Sequence, residues 1–402
     1  MSGRRLDLAP EDMRRINYVA DDGYPRTTPT GLHLHYLSQQ TCLDRLLTMM
    51  DIERIRHEQR DALARGIHRG IGLASFVELT GTANSFYGPG GIHVSGQDGC
   101  ALKLEPSGTV RCAPSVTDQG QGTDTGIAQI VASVLGLATS DVRVTSGDSE
   151  TSPYGGGAWA SRGISTGGEA AHKAAMALKE NILSIAAHLL QSDLSRLDLS
   201  DGTIVDESGA PRMTIAEVAQ IGYFRHDLIP ADLQPELSVV RHSAPRKQLF
   251  QATNGIQASH VEVDISTGFV RLLDHWVVHD AGTVINPLLV DEQIRGGVVQ
   301  GLGAALFEEL VYDEEGQLRT ASLADYLVPM AGDVPDIHVA HVESPAAEGV
   351  LGAKGVGEAG VAGASGAVLN AVNDALAPFD AIVRRLPIRP RDVLCALGKI
   401  AD

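Results

Sequence analysis

The sequence predicts an α+β fold: two mixed α/β units in which mixed sheets pack against long helices. Three observations carry this reading. Runs of alternating apolar and polar residues end in glycine turns, as strands do. Longer segments repeat their apolar residues at helical spacing. The 402-residue chain is 43% hydrophobic and 20% charged, an ordinary balance for a protein with a large core.

In chain order, "APEDMRRINYV" reads as a helix opening on Pro10 and acidic residues. "DDGYPRTTPTG" is a loop, and "TCLDRLLTMMDIERIRHEQRDALARG" carries a helical period ending at Gly66. "GIGLASFVEL" is a strand, and "CALKLEPSGTVRCAPS" is two strands joined by a Ser-Gly turn. "TDTGIAQIVASVLGL" is a helix whose Thr or Asp is placed to cap its start, and "VRVTSGD" is a strand. "GGEAAHKAAMALKENILSIAAHLLQSDL" is a long helix. A second unit begins near residue 255, where "ASHVEVDISTGFVRLLDHWVVHDAG" is a hairpin turning at Thr267-Gly268. The helix in "INPLLVDEQIRGGVVQGLGAALFEEL" has Asn286 at its N-cap and Pro287 at its first position. Gly297 and Gly301 lie four apart on it, each costing roughly 1 kcal/mol against alanine, so a close backbone neighbour is expected. "IHVAHVES" is a strand, and "GASGAVLNAVNDALA" is a helix. The expected divisions are 1–65, a helical lead-in that starts as though in mid-domain, then 66–250 and 251–402.

Charge and cysteine usage narrow the function. A net charge of −18 repels phosphate backbones, which disfavours nucleic acid as a partner. Cys42, Cys100, Cys112 and Cys395 make no CxxC pair, so no metal or iron–sulfur site is legible in them, and reduced thiols in a cytoplasmic setting are expected. The start has no apolar signal region, and no run approaches the ~18 residues of a membrane span.

Three glycine clusters hold isolated polar residues: "DQGQGTDTG" at 118–126, "PYGGGAWASRGISTGG" at 153–168 and "GAKGVGEAG" at 352–360. Each precedes a helix, the arrangement in which bared backbone N–H groups and a helix N-terminus cradle an anion. Singly, each is also an ordinary tight turn; together they suggest several segments converging on one phosphate-containing ligand. None fits a P-loop or a clean GxGxxG. Glu358 has few local partners within its loop, and desolvation there would raise its pKa toward that of a general base; a surface glutamate after a turn is the plain alternative. Lys354 is placed for an ion pair, a phosphate contact or solvent. Gln121 and Gln300 offer amides that read a heterocycle's edge, or face solvent. His33, His35, His275 and His279, with Asp280, have spacings a zinc site could use, but no HExxH and no Ser–His–Asp order accompany them.

These clusters, in this order, resemble the molybdenum hydroxylases of the xanthine oxidase and aldehyde oxidase family, specifically the C-terminal half of their large molybdopterin-binding subunit. "DQGQGTDTG" looks like the loop whose glutamine contacts the pterin, here Gln121 with Gln119, Gly120 and Gly122. "AWASRGIS" resembles the loop whose backbone holds pterin and phosphate, here Ala160, Ser161, Arg162 and Gly163. "HDAGTVINPLLVDEQIRGGVVQGLGAALFEE" is similar to the family's long helix with a cofactor-facing amide, here Gln300. "GAKGVGEAG" resembles the loop carrying the catalytic glutamate, here Glu358, with Lys354, Gly355, Val356 and Gly357 beside the cofactor.

The resemblance implies a two-unit α+β molybdopterin-binding subunit in which Glu358 takes a proton as oxygen from water attacks an aldehyde or N-heterocycle. It implies that the cofactor's dithiolene, not the protein, holds the metal; whether the pterin bears a cytosine nucleotide stays open. It also implies [2Fe–2S] and FAD carried by partner subunits, and an N-terminal half supplied by a separate chain, because the family's preceding segment has no counterpart before "MRRINYVADDGYPRTTPTG". Phe86, Tyr87 and Ile92 fall where the substrate side would be. A non-catalytic scaffold half, or a nucleotide-binding module, are the rival readings.

Overall fold

A computed structural model describes residues 6, 8–87, 93–246 and 248–401. The described elements begin with helix α1 (Pro10–Asn17), the short strands β1 (Arg26–Thr27) and β2 (His33–Leu34), and helices α2 (Gln39–Met50) and α3 (Ile52–Ala64). Strands β3 (His68–Thr80), β4 (Asp98–Leu104) and β5 (Val110–Pro114) follow, then α4 (Thr123–Leu135), β6 (Val142–Val144) and α5 (Glu169–Leu190). After these come β7 (Leu197–Ser200), β8 (Thr203–Asp206), β9 (Pro211–Thr214), α6 (Ile215–Phe224) and β10 (Ser238–Ser243). The remainder is β11 (Gln251–Val263), β12 (Val270–Asp280), α7 (Pro287–Leu306), β13 (Ile337–Val342), α8 (Ala359–Ala375) and α9 (Pro390–Ala396).

The chain divides into two compact units. Unit one gathers Met1–Glu78, Ala252–Ala347 and Val356–Asp402; unit two gathers Leu79–Gln251 and Glu348–Gly355. Residues 1–65 thus belong to the same unit as most of the C-terminal third.

In unit one, a four-stranded mixed sheet has the order β13-β12-β11-β3, with β12 antiparallel to β11 and parallel to β13. One face packs Ile256, Ala258, Trp276 and Val278 against Leu43, Leu46 and Met50 of α2. The other packs Val261, Val263 and Val277 against Ile294, Val298 and Leu302 of α7 and Val368 and Val372 of α8. A bulge at Leu273, opposite the His260–Val261 step, shifts the alternation of β12 by one. Val270 and Leu272 thereby face the same helical layer as Val277.

Helix α8 lies against its neighbours at backbone distance. A Cβ on Gly360 would sit 2.3 Å from the Ile294 carbonyl of α7, and one on Gly301 would sit 2.6 Å from Ala364 Cβ. On the sheet side, Gly72 would bring a Cβ to 2.1 Å from the Ala367 carbonyl. The close neighbour expected for Gly297 and Gly301 is therefore α8. Asn286 accepts from Leu289 N at 3.1 Å, with Pro287 at the first position, so this helix start forms as expected. The hairpin also turns where expected, at Gly268 (φ +83°).

Unit two has a four-stranded sheet of order β10-β4-β5-β6 and a small antiparallel sheet β7-β8-β9. Leu102 and Leu104 of β4 meet Ile127 and Val131 of α4 and Ala171, Leu178 and Ile182 of α5 in one core. At the start of β4, Asp98 accepts from Arg162 Nε at 2.7 Å, and both side chains are fully buried.

Two local expectations change, and one segment without an expectation acquires structure. The helical period running to Gly66 breaks at Asp51, whose left-handed backbone (φ 49°) separates α2 from α3. The N-cap of α4 is Gly122, not Thr or Asp, and no side chain of that residue caps it; Asp118 Oδ2 accepts the Asp124 N–H from the preceding loop instead. Residues 197–224 form three strands and a helix that the sequence reading leaves unassigned. The Thr214–Glu217 capping box was a legible signal for α6.

Two packing features give opposite or large effects on stability. Gly360→Ala will destabilise the protein by about 1–3 kcal/mol through overpacking, whereas Gly296→Ala, with nothing within 4 Å of the added methyl, will stabilise α7 by about 1 kcal/mol. Thermal unfolding midpoints of the two variants will move in opposite directions. Asp98→Ala leaves a buried guanidinium uncompensated, and denaturant titration will show a loss of roughly 3–5 kcal/mol.

Candidate functional site

The first glycine loop is organised by Asp118. Its Oδ1 accepts from Gly120 N at 2.7 Å and its Oδ2 from Asp124 N at 3.0 Å. Burial works against its charge, but the N–H groups of Asp124, Gly120 and Gly122 outweigh it and hold the carboxyl below its ordinary range. Gly120 and Gly122 adopt φ of 107° and 80°, which lets the loop curl over the start of α4. The Gln121 amide is engaged inside this loop: Nε2 donates to the Thr117 carbonyl and Thr123 Oγ1, both at 2.9 Å, and Oε1 accepts from Gln119 N. Its side chain closes the loop, and the neighbouring exposed amide is that of Gln119.

The second loop is bent by two consecutive left-handed residues, Ala160 (φ 49°) and Ser161 (φ 52°). Such residues cost on the order of 1–3 kcal/mol each and persist where the surroundings over-determine them. Here the Ala160 carbonyl accepts from Gly81 N at 2.8 Å. Arg162, pinned by Asp98, also donates Nη1 to the Ser95 carbonyl at 3.0 Å and lies over the Trp159 ring at 5.1 Å. The Arg162 side chain is thus a buried anchor, and the loop presents its backbone. Gly163 then opens a π-helical turn, Gly163–Gly168, leading into α5.

The third loop is shared between the units at Gly355/Val356. Within unit two, Leu351 N donates to Glu169 Oε1 at 2.7 Å, and a Cβ on Gly355 would lie 2.6 Å from both Ser161 Cβ and the Ser161 carbonyl. Lys354 is 4% exposed, so the solvated option does not hold. A Cβ on Gly163 would lie 3.0 Å from Thr123 Oγ1, which joins the first loop to the second. Gln119–Gly122, Ala160–Gly163 and Lys354–Gly355 therefore converge in unit two.

This convergence fits a polar, anionic cofactor. A Cβ on Gly81 (φ +54°) would fill a cradle faced by Thr166 Oγ1 at 3.3 Å, Ser165 Oγ at 3.4 Å and Gln251 Oε1 at 3.6 Å. Ser165 Oγ and Gln251 Oε1 are buried without a protein hydrogen bond, as are Trp159 Nε1 and Arg162 Nη2. Buried polar atoms of this kind call for a partner. Phe86 and Tyr87 form an aromatic cluster on its flank, with the Tyr87 ring 6.3 Å from Trp159 and the Phe86 ring 5.7 Å from Phe250. Ile92 lies outside the described residues.

In unit one, Glu358 occupies the N-cap position of α8, and its side chain makes no cap hydrogen bond to that helix. It is exposed, so the expected desolvation is not present in this chain by itself. Val356 packs on the α7–α8 core, and the Gly357 carbonyl accepts from Gln293 Nε2 of α7 at 2.8 Å. Gln300 is exposed on α7, two turns beyond Gln293 on the same helix face. Among the described residues no group of three or more His, Cys, Asp or Glu side chains is placed to hold a metal. His275 and His279 are buried in the β12 strand, and all four cysteines are free thiols. Asp98, Asp118, Glu169 and Gln257 shape these loops without having been singled out from the sequence. None of the four stands out in sequence, since Gln257 lies in a strand that also carries Thr253, Asn254, Ser259, His260 and Glu262.

Comparison with known proteins places the chain in one family. A model described as the molybdopterin cofactor-binding domain matches residues 45–335. The chain is 35% identical over 400 residues to the nicotine 6-hydroxylase large subunit of Paenarthrobacter nicotinovorans, covering 99% of this chain and 48% of that protein. It is 30% identical over 390 residues to the carbon monoxide dehydrogenase large chain of Afipia carboxidovorans, covering 94% and 47% respectively. The crystal structure of quinoline 2-oxidoreductase from Pseudomonas putida 86 superposes with a TM-score of 0.91 at 35% identity, over 99% of this chain and 50% of that one. The chain thus spans about half the length of the curated relatives it matches. It belongs to the molybdopterin cofactor-binding family, that of the large subunits of xanthine oxidase-type molybdenum hydroxylases.

Proposed function

We propose that this chain is the molybdenum-cofactor-binding catalytic half of a multi-subunit hydroxylase that oxidises an N-heterocycle or an aldehyde with oxygen from water. The observation that carries the reading is the convergence of the three loops in unit two around buried, unpartnered polar atoms. The relatives named for nicotine and quinoline weight the substrate class toward N-heteroaromatic rings.

The residues divide the work by what each exposes. The backbone of Gln121 and of Ala160–Gly163 offers N–H groups to the pterin and its phosphate, a cytosine dinucleotide form included, and buried Lys354 adds positive charge to the same unit. Gln119 and Gln300 present exposed amides to ring or ligand edges. When bound, the cofactor would supply the metal and the two-electron acceptor, with the oxygen drawn from water. Glu358 is the general base: its exposed carboxylate, held at a helix N-terminus, accepts the proton that activates the attacking oxygen. Phe86 and Tyr87 form the apolar wall on the substrate side.

The proposed enzyme includes partner chains. The [2Fe–2S] centres are assigned to an iron–sulfur subunit and FAD to a flavin subunit, as the family resemblance implies; in this chain Cys42, Cys100 and Cys112 are buried thiols and Cys395 is half-buried. In unit one, residues 307–336 contain no helix or strand longer than one turn and expose Leu310, Tyr312, Leu323 (77%) and Met330 (74%). Such apolar density suits a covered surface, and the complementary N-terminal half of the large subunit is the occupant proposed. The free thiols accord with a cytoplasmic enzyme.

In the complex purified through this chain, elemental analysis is expected to give about one molybdenum per chain. Glu358→Gln will leave that content unchanged and lower kcat by roughly 10²–10⁴-fold. Wild-type turnover in the variant would remove Glu358 from the role of base, and a metal-free complex would overturn the proposal as a whole.

A further inference from the structure

Gln257 sits on β11 with no exposed surface, on the strand face that also carries Thr253, Ser259, Val261 and Val263. Its Nε2 donates to the carbonyls of Ala359 and Gly360, each at 2.9 Å. These are the first two residues of α8, directly after Glu358. Both amide hydrogens are thereby used, and Oε1 is left only as an acceptor. The group facing it, at 3.0 Å, is His275 Nε2, so that nitrogen carries the ring proton. His275 Nδ1 is then an acceptor, and Ser259 Oγ donates to it at 2.8 Å. Burial pushes His275 down to about 3, so the ring is neutral under ordinary conditions.

The strand register makes this chain possible. Ser259 and His275 stand directly opposite each other across β11 and β12, and Gln257 is the next residue on the same face. Gly363 leaves room for the amide, since a Cβ there would lie 3.0 Å from Gln257 Cγ. The polarity runs one way, from Ser259 through His275 and Gln257 to the opening turn of α8, all within unit one.

We infer that Gln257 and His275 are positioning residues that fix the first turn of α8 and so the placement of the Glu358 carboxylate. A helix start is normally its loosest turn, because the first N–H groups lack intrahelical partners. Two extra hydrogen bonds from the sheet, accepted by the Ala359 and Gly360 carbonyls, tie that turn to β11 at the two residues beside the base. The inference rests on the reading of Glu358 as the base, and its test separates the two.

The experiment uses the assembled complex with Gln257→Met, Glu358→Gln and the double variant. Gln257→Met keeps the length of the side chain and removes both donors. Its kcat is expected to fall on the order of 10- to 100-fold with KM and molybdenum content unchanged. Hydrogen exchange by mass spectrometry will accelerate on the order of tenfold at residues 359–363, and not over α7. The double variant will be no slower than Glu358→Gln alone. Wild-type kcat with unchanged exchange at 359–363 overturns the inference, as does faster exchange throughout unit one with loss of molybdenum. Wild-type turnover by Glu358→Gln, with local loosening still seen in Gln257→Met, brings down the base assignment while the anchoring of α8 stands. Should Gln257→Met fail to assemble, neutron diffraction of the wild type decides: deuterium on His275 Nε2 alone supports the relay, and deuterium on Nδ1 overturns it.

Discussion

Unit one depends on how close backbones come to one another. Helix α8 touches α7 through Gly360 and Gly301 and touches β3 through Gly70 and Gly72, with main-chain atoms where side chains would ordinarily stand. Separations this short leave no slack for α8 to slide or roll, so its first residue is placed by steric exclusion on two sides. The glycines lower intrinsic helix stability, and the packing they permit offsets that loss. The same device recurs in unit two, where Gly355 meets Ser161 and Gly163 meets Thr123. Loops made this way have shapes set by neighbours rather than by their own side chains.

Buried polar groups then fix what close packing leaves undetermined. Asp98 takes the Arg162 guanidinium, the Ser115 hydroxyl and the Gly156 N–H, which ties the end of one strand to a loop far along the chain. A fully buried charge pair contributes little net stability compared with an apolar pair, but an alternative loop path would leave one charge alone. Satisfaction of this kind therefore selects conformation more than it adds stability. Ser38 and Ser344 both donate to the buried Asp280 carboxylate of β12, an arrangement of the same logic in unit one.

What the sequence disclosed was local. The Asn286-Pro287 start, the hairpin at Gly268, the glycine clusters and the position of Glu358 ahead of a helix all depend on neighbours within a few residues. The break at Asp51 was hidden because a single left-handed residue leaves the apolar period almost intact. The Asp98–Arg162 pair joins residues whose surroundings in sequence say nothing of each other, and the engagement of Gln121 within its own loop depends on where Thr117 and Thr123 fold. Glutamine type alone could not distinguish a side chain that reads a ligand from one that braces a turn. The exchange of segments between units was equally out of reach, since it is decided by which distant strands pair.

That exchange has a consequence in time. Leu79–Gln251 is continuous, but unit two also needs Glu348–Gly355, and unit one needs three separated segments. A ribosome delivers the third loop on the order of ten seconds after the first two. Through that interval Ser161 has no Gly355 against it and Glu169 Oε1 lacks the Leu351 N–H. The three loops are therefore together only once Glu348–Gly355 has been made, and any molecule that requires all of them meets them only then.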